Sequence, residues 1–295
     1  MNDLLTRYGD ILGFKLEAQG FGLEIAIEPL DRVHIHEEII PGPLEELKRD
    51  LKFSGEARNP VIVDSNTRVV LDGMHRVAAL QGIGCRYLPV CLVDYHDPRV
   101  RVGCWHRVVK GKADESKFID IFRLLGLGIN SSSLKDALQA LEGREATTAF
   151  LTNKNCHLLN ASATGIRDSY KWVKRIELAV KEEGLDVEYE RDVYAEEQVL
   201  SGKALAALLV PRVRKEEVIE AALSGHLFAH KTTRHVIPAR PMNVGVPVEW
   251  LSGSRPLDKV NRLLAENLSN RRMEHLPAGT FFDGRRYEEE LLIFR

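Results

Sequence analysis

The feature that most constrains the fold is a five-residue segment, Asp72 to Arg76, which reads Asp-Gly-Met-His-Arg and follows a predicted β-hairpin. The hairpin consists of apolar runs at 60–64 and 68–71 joined by a polar turn. Small apolar residues after Arg76 then predict a helix that stops near Gly82 and Gly84. A helix that begins directly after a strand exposes unpaired backbone N–H groups and a partial positive charge, so this segment is suited to bind phosphate.

Each side chain of this segment has a structural and a functional interpretation. Gly73 permits a tight turn and a close approach of a ligand to the backbone. His75 and Arg76 can donate hydrogen bonds to oxyanions, and Asp72 can hold a metal ion or orient a side chain. Equally, Asp72 can serve only as a helix cap and Arg76 can lie on the surface. The spacing alone does not decide between the two.

The remaining pattern predicts an α/β protein with more than one domain. An alternating strand at 22–27 and a helix that begins at Pro43 precede the hairpin, and a strand at 87–95 follows the helix. Helices and strands alternate again beyond about residue 146, after a weakly patterned connector with two helices. We therefore expect a nucleotide-binding domain at 1–112, a second α/β domain at 113–246, and a C-terminal extension at 247–295.

Composition argues against several classes of function. The 295 residues contain 41 basic and 43 acidic side chains, a net charge of -2, whereas nucleic-acid-binding proteins usually carry a basic excess. No apolar run approaches the roughly 18 residues of a membrane span, and Met1 to Asp10 lacks the pattern of a secretory signal. We expect a cytoplasmic protein. The cysteines form no Cys-x-x-Cys pair, which favours buried reduced thiols over a metal or redox motif: Cys85, Cys91, Cys104 and Cys156.

Three further clusters carry reactive groups. His36-Glu37-Glu38 lies before a helix, where a carboxylate can act as a general base or simply interact with the helix dipole. Trp105 is expected to follow a strand. Its ring can be part of the packed core or can form the wall of a ligand site. The run Lys231 to His235, Lys-Thr-Thr-Arg-His, concentrates cations, hydroxyls and an imidazole that suit a carboxylate or phosphate, although a solvated loop has the same composition.

These four clusters, in this order, resemble the free L-serine kinases, which make O-phospho-L-serine from ADP or ATP. The resemblance covers 23–107 and returns at 231–241. It implies a ParB/sulfiredoxin-like N-terminal domain, Glu37 as the catalytic base, and Asp72, Gly73, Met74, His75 and Arg76 at the nucleotide phosphates. It also implies Trp105, Lys231, Thr233, Arg234 and His235 at the serine, with Mg²⁺ near Asp72.

One residue departs from the family pattern, since Met74 stands where the kinases usually have a second His. Sulfiredoxins carry a reactive Cys in this loop, so Met74 disfavours sulfinic-acid reduction. Two alternatives stay open. One is a ParB-like, DNA-binding and possibly haem-responsive regulator of a siderophore or amino-acid biosynthetic operon. The other is a plain ParB-like DNA-binding or nucleotidase module, which the charge balance and the Lys231 to His235 run disfavour. The sequence has no motif that distinguishes ATP from ADP, and it leaves the oligomeric state open.

Overall fold

The computed structural model describes residues 5–8 and 11–295 of the chain. The expectation drawn from Met1 to Asp10 lies largely outside this range. In the part of the chain that is described, no helix is long and apolar enough to cross a membrane.

The α-helices and one 3-10 turn, Leu30–Arg32, are distributed along the whole described chain. The helices are α1 (Pro41–Ser54), α2 (Met74–Gly82), α3 (Glu115–Leu124), α4 (Leu134–Glu142), α5 (Ile166–Glu182), α6 (Ala195–Leu200), α7 (Lys215–Ser224), α8 (Val248–Leu251) and α9 (Leu257–Ser269).

The strands belong to two large sheets and three small ones. They are β1 (Leu5–Tyr8), β2 (Ile11–Ala18), β3 (Phe21–Pro29), β4 (Glu56–Ala57), β5 (Val61–Asp64), β6 (Val70–Asp72), β7 (Tyr87–Val93), β8 (Arg101–Lys110), β9 (Gly128–Ser132), β10 (Thr148–Thr152), β11 (Cys156–Asn160), β12 (Asp186–Arg191), β13 (Ala206–Leu209), β14 (Thr233–Val236), β15 (Ala239–Met242), β16 (Val246–Pro247), β17 (Met273–Leu276), β18 (Phe281–Phe282), β19 (Arg285–Arg286) and β20 (Glu290–Phe294).

The chain divides into two compact units whose boundaries differ from those predicted at residues 112 and 246. The first unit comprises residues 1–101, 218–227 and 235–295, and the second comprises 102–217 and 228–234. The predicted C-terminal extension therefore belongs to the first unit, although its sequence has no readable motif. The assignment of functions to three successive domains stays a prediction.

The first unit contains a sheet with the strand order β1-β2-β3-β7-β5-β6. Its middle strands are apolar on both faces: Val61, Ile62 and Val63 of β5 are fully buried, because α2 and α9 pack against strands of this sheet. The predicted hairpin of β5 and β6 is confirmed. The carboxylate of Asp64 fixes its turn by accepting hydrogen bonds from the backbone N–H and the hydroxyl of Thr67, at 2.9 and 2.6 Å. β6 ends at Asp72, and α2 begins two residues later as predicted.

The second unit contains a sheet with the order β12-β8-β13-β10-β11-β9. Two sequence-based expectations are wrong here. The predicted connector is part of the sheet, because its stretch around Ser131 forms β9 and pairs with β11. Trp105 does not follow a strand but lies within β8. β8 was not predicted because it carries charged residues such as Arg107, which is buried through an ion pair with Glu177 at 3.4 Å.

Candidate active site

The turn between β6 and α2 requires glycine at position 73. Gly73 has φ +100°, which is unfavourable for residues with a side chain, and it caps α2 without a side-chain hydrogen bond. A Cβ at this position would lie 2.7 Å from a guanidinium nitrogen of Arg76, so the arginine side chain occupies the space that glycine leaves. The first N–H groups of α2, beginning at Met74, therefore follow a tight turn whose conformation depends on glycine at position 73.

His75 has a defined tautomer. The backbone N–H of Ile40, which caps α1, donates to Nε2 of His75 at 3.0 Å. Nε2 is therefore the unprotonated nitrogen, and Nδ1 carries the proton in the neutral ring. A ring held in this way can donate from Nδ1, which is the role that the phosphate hypothesis requires of it.

Asp72 lies at the centre of a chain of ion pairs. Its Oδ2 accepts hydrogen bonds from Nη2 of Arg76 at 2.7 Å and from Nη1 of Arg240 at 2.6 Å. Nε of Arg240 also donates to Oε1 of Glu289 at 2.9 Å, and both side chains of this second pair are buried. Burial alone would raise the pKa of the Asp72 carboxyl, but the guanidiniums of Arg240 and Arg76 hold it well below its usual value. Asp72 is therefore ionised.

Arg76 is tied to the backbone as well as to Asp72. Its Nη1 donates to the carbonyl oxygen of Asn59 at 3.0 Å and to that of Pro60. The segment before β5 is thereby fastened to the beginning of α2. Arg76 was predicted as a phosphate ligand, and the geometry adds a structural role that the sequence does not reveal, because residues 59 and 60 are distant from it along the chain.

A cavity of about 280 Å³ lies beside Arg76. Its volume is close to the lower end of the range of roughly 300–1,000 Å³ typical of small-molecule sites. The wall combines apolar side chains of α1 and α2 with charged groups and comprises Leu47, Asp50, Leu51, Ser54, Glu56, Ala57, Arg58, Asn59, Val61, Arg76, Leu80, Pro89 and Asp283. The predicted phosphate loop therefore adjoins a space suited to the rest of a small ligand.

Glu37 lies in a buried segment next to β6. The neighbouring His36 is completely buried, and its Nδ1–H donates to the carbonyl oxygen of Val70 at 2.8 Å. Burial lowers the pKa of His36 to about 4, so this ring is neutral near pH 7. The Glu37 side chain is itself only 5% exposed. A carboxylate in such a position is shielded from bulk water.

His235, the last residue of the Lys-Thr-Thr-Arg-His run, contacts the Glu37 segment. Its ring centroid lies 5.4 Å from that of His36 in an edge-to-face arrangement. The hydroxyl of Tyr95 is hydrogen-bonded to Nε2 of His235 at 2.8 Å, and the Tyr95 side chain is fully buried. Tyr95 was missed as a site residue, although a buried tyrosine hydroxyl generally needs a polar partner.

The other predicted serine-site residues are grouped in the second unit. Nζ of Lys231 lies 4.3 Å from the centroid of the Trp105 ring, a cation–π contact. The indole N–H of Trp105 donates to the carbonyl oxygen of Thr233 at 3.1 Å. Nη2 of Arg234 donates to Oδ1 of Asp192 at 3.0 Å. Trp105, Lys231, Thr233 and Arg234 are thus brought together, and Asp192 is a further member that no sequence pattern indicated.

The comparisons with known proteins identify L-serine kinases among the relatives of this chain. No family model matches the chain. The chain is 28% identical over 240 residues to the ATP-dependent L-serine kinase of Staphylothermus marinus, which covers 78% of this chain and 92% of the relative. It is 27% identical over 227 residues to the ADP-dependent L-serine kinase of Thermococcus kodakarensis, with 75% and 90% covered. The resemblance to the free L-serine kinases is confirmed.

The solved structures agree with the expected fold. A free serine kinase in complex with AMP superposes with a TM-score of 0.65 at 24% identity, over 77% of this chain and 93% of that chain. A ParB-like protein of Sulfolobus acidocaldarius is 25% identical over 205 residues, which is 68% of this chain and 84% of the relative. The chain therefore has the mixed α/β fold that its sequence predicted, and it shares this fold with the solved serine kinase.

Proposed function

We propose that this protein is a free L-serine kinase, which transfers a phosphoryl group from ATP or ADP to the serine hydroxyl and produces O-phospho-L-serine. The observation that carries the proposal is the contact between His36 and His235. This contact brings His235 next to the segment of Glu37. The similarity to ATP- and ADP-dependent L-serine kinases supports the same reaction.

The phosphate groups of the nucleotide bind at the beginning of α2. The N–H groups from Met74 onward and Nδ1 of His75 are the donors, and the nucleoside occupies the cavity beside Arg76. Binding of this kind suits both ATP and ADP, because the N–H groups at a helix start bind a phosphate group whether it is the second or the third of the nucleotide.

Mg²⁺ is compatible with the residues at this turn. The ion is commonly held by one or two carboxylates together with substrate phosphates. Asp72 is an ionised carboxylate and would supply one ligand, while the described residues contain no group of three or more His, Cys, Asp or Glu side chains arranged around a metal. We therefore expect the ion to bind with the nucleotide. When bound, it neutralises charge on the transferring group.

The serine carboxylate pairs with the cationic run. Lys231, Thr233, Arg234 and His235 are its proposed ligands, and Trp105 limits the size of the side chain that is accepted. Glu37 accepts the proton of the serine hydroxyl. The serine oxygen forms a bond to phosphorus, the bond from phosphorus to the nucleotide oxygen breaks, and the nucleotide leaves with one phosphate fewer. We also propose that the enzyme acts in amino-acid biosynthesis in the cytoplasm.

Phosphorus NMR tests the proposal directly. The protein is incubated with L-serine, Mg²⁺ and either ATP or ADP, with a Glu37→Gln variant as control. We expect the resonance of O-phosphoserine with at least one nucleotide, together with ADP or AMP as the second product. If neither nucleotide yields phosphoserine, the proposed function is wrong.

The ParB-like relative supports one other candidate, a DNA-binding regulator. DNA binding would depend steeply on salt, because each phosphate contact releases counterions. Retention of duplex DNA at 50 mM salt that disappears near 200 mM would favour this function. A net charge of -2 argues against it.

A further inference from the structure

A short hairpin near the C-terminus lies beside the nucleotide cavity. β18 and β19 pair in the register Phe281 with Arg286 and Phe282 with Arg285, so that Asp283 and Gly284 form the tip. Both tip residues have positive φ, +48° and +75°, which is the conformation of a two-residue type I′ turn. An Asp-Gly pair is strongly favoured in such turns, so the shape of the tip follows from its sequence.

The base of the hairpin is firmly attached to the first unit. Backbone hydrogen bonds join Gly279 to Tyr287 at 2.8 Å and Tyr287 to Thr280 at 3.0 Å. Phe282 packs against an apolar cluster formed by buried residues that include Tyr287 and Leu291. A hairpin of two-residue strands is not stable alone, but this anchorage holds its tip in one position.

The tip places a carboxylate at the proposed nucleotide site. Asp283 lines the same cavity as Arg76, and its Oδ2 lies 3.5 Å from Nη1 of Arg58 in the cavity wall. Arg285 lies over the ring of Tyr287, with its guanidinium 4.9 Å from the ring centroid. Arg285 pairs with Phe282 and so closes the turn that carries Asp283. Asp283 therefore lines the cavity, and Arg285 belongs to the residue pair at the base of the same turn.

We propose that this hairpin is a nucleotide-binding element, in which Asp283 accepts hydrogen bonds from the ribose hydroxyls and Arg285 pairs with a phosphate. The assignment follows from chemistry, since a carboxylate accepts from the vicinal hydroxyls of ribose, whereas a guanidinium binds phosphate. It rests on the proposed function insofar as the ligand is an adenine nucleotide. It adds two recognition residues from a part of the chain whose sequence carries no motif.

Calorimetric titration of the full chain with ADP and 2′-deoxy-ADP tests the role of Asp283. The wild type should bind ADP about tenfold more tightly than 2′-deoxy-ADP, a difference that corresponds to about one charge-assisted hydrogen bond. In Asp283→Asn the ratio of the two dissociation constants should fall to about 1. Asp50→Asn, an acidic neighbour in the wall of the same cavity, is the matched control and should keep the wild-type ratio. An unchanged ratio in Asp283→Asn, or a ratio lost in Asp50→Asn instead, would overturn the assignment.

Titration with ADP and AMP tests the role of Arg285. Arg285→Ala should weaken ADP binding about tenfold and AMP binding by less than about threefold, if the guanidinium contacts a phosphate beyond the first. Arg286→Ala, the exposed neighbour, should leave both affinities unchanged. Equal effects of the two variants would contradict the proposal. None of these measurements depends on turnover, so a wild type that binds nucleotide but makes no phosphoserine would disprove only the proposed function.

Discussion

The two units hold their arginines in different ways. At the beginning of α2, Arg76 and Arg240 both donate to one oxygen of Asp72, and Arg240 continues to Glu289. In the second unit, Asp192 gives each arginine its own oxygen, Oδ1 to Arg234 at 3.0 Å and Oδ2 to Arg212 at 2.9 Å. In the first arrangement Arg76 also ties backbone segments together, so these arginines mainly support the proposed phosphate site, which consists of backbone N–H groups. The second positions cationic side chains, which are themselves the proposed ligands.

The largest expected effect concerns the base, which belongs to neither arginine cluster. Glu37→Gln should lower kcat by about 10² to 10⁴, the usual contribution of a general base, and should leave the nucleotide Kd within about threefold. The measurement is steady-state kinetics together with calorimetry. Glu38→Gln is the control. If Glu37→Gln kept more than about a tenth of the wild-type kcat, Glu38 would become the candidate base.

A second prediction compares the buried histidines of the two units. Burial lowers the pKa of both His36 and His106 to about 4, although Asp192 opposes this shift for His106. An unfolded histidine takes up a proton near pH 6.5, so each histidine stabilises the fold fully above that pH and progressively less as the pH falls to about 4. Between these two pH values, each histidine should lower the free energy of unfolding by about 3 kcal/mol.

Asparagine substitutions measure the two contributions separately. Nδ1 of His36 donates to Val70, whereas Nδ1 of His106 accepts from the N–H of Val210 at 3.1 Å. An asparagine amide can do either but does not titrate. His36→Asn and His106→Asn should each flatten the dependence of the free energy of unfolding on pH between about 6.5 and 4, in urea titrations. A profile as steep as that of the wild type would show that the substituted histidine does not contribute.

The third prediction concerns Asp192, whose carboxylate pairs with two arginines of the second unit. Asp192→Asn should raise the serine KM about tenfold to hundredfold, because the charge-assisted hydrogen bond that orients Arg234 is lost. The nucleotide Kd should stay within about twofold. Asp186→Asn, on the exposed part of β12, is the matched control. Equal loss of serine and nucleotide binding would mean that Asp192 supports the fold and not the serine site.

The smallest effect is expected from the arginine of the phosphate turn. Arg76→Ala should weaken nucleotide binding about tenfold by releasing residues 59 and 60 from α2, and it should change the serine KM by less than about threefold. Separate calorimetric and kinetic measurements provide the comparison, with the exposed Arg49→Ala on α1 as control. A serine KM raised as much as the nucleotide Kd would contradict a local role for Arg76.

The sequence predicted those elements whose side-chain pattern is local. The hairpin before Asp72, the turn at Gly73 and the start of α2 were predicted closely, because glycine, turn residues and apolar runs act over a few positions. β8 was missed, since its buried Arg107 has its partner 70 residues away on α5. The strand β9 was missed for the same reason: its residues are polar and take their structure from pairing with β11.

By itself, therefore, the sequence determined the α/β class and the turn between β6 and α2, and it singled out the clusters at Glu37, Trp105 and Lys231 to His235. Only the tertiary structure decided which carboxylates hold the arginines, that Tyr95 is hydrogen-bonded to His235, and that Asp283 lies at the cavity beside Arg76. Local backbone preferences depend on neighbouring residues and can be read from the chain. Ion pairs and hydrogen bonds between distant residues, such as Arg240 with Asp72, depend on how the strands pack, which no local pattern records.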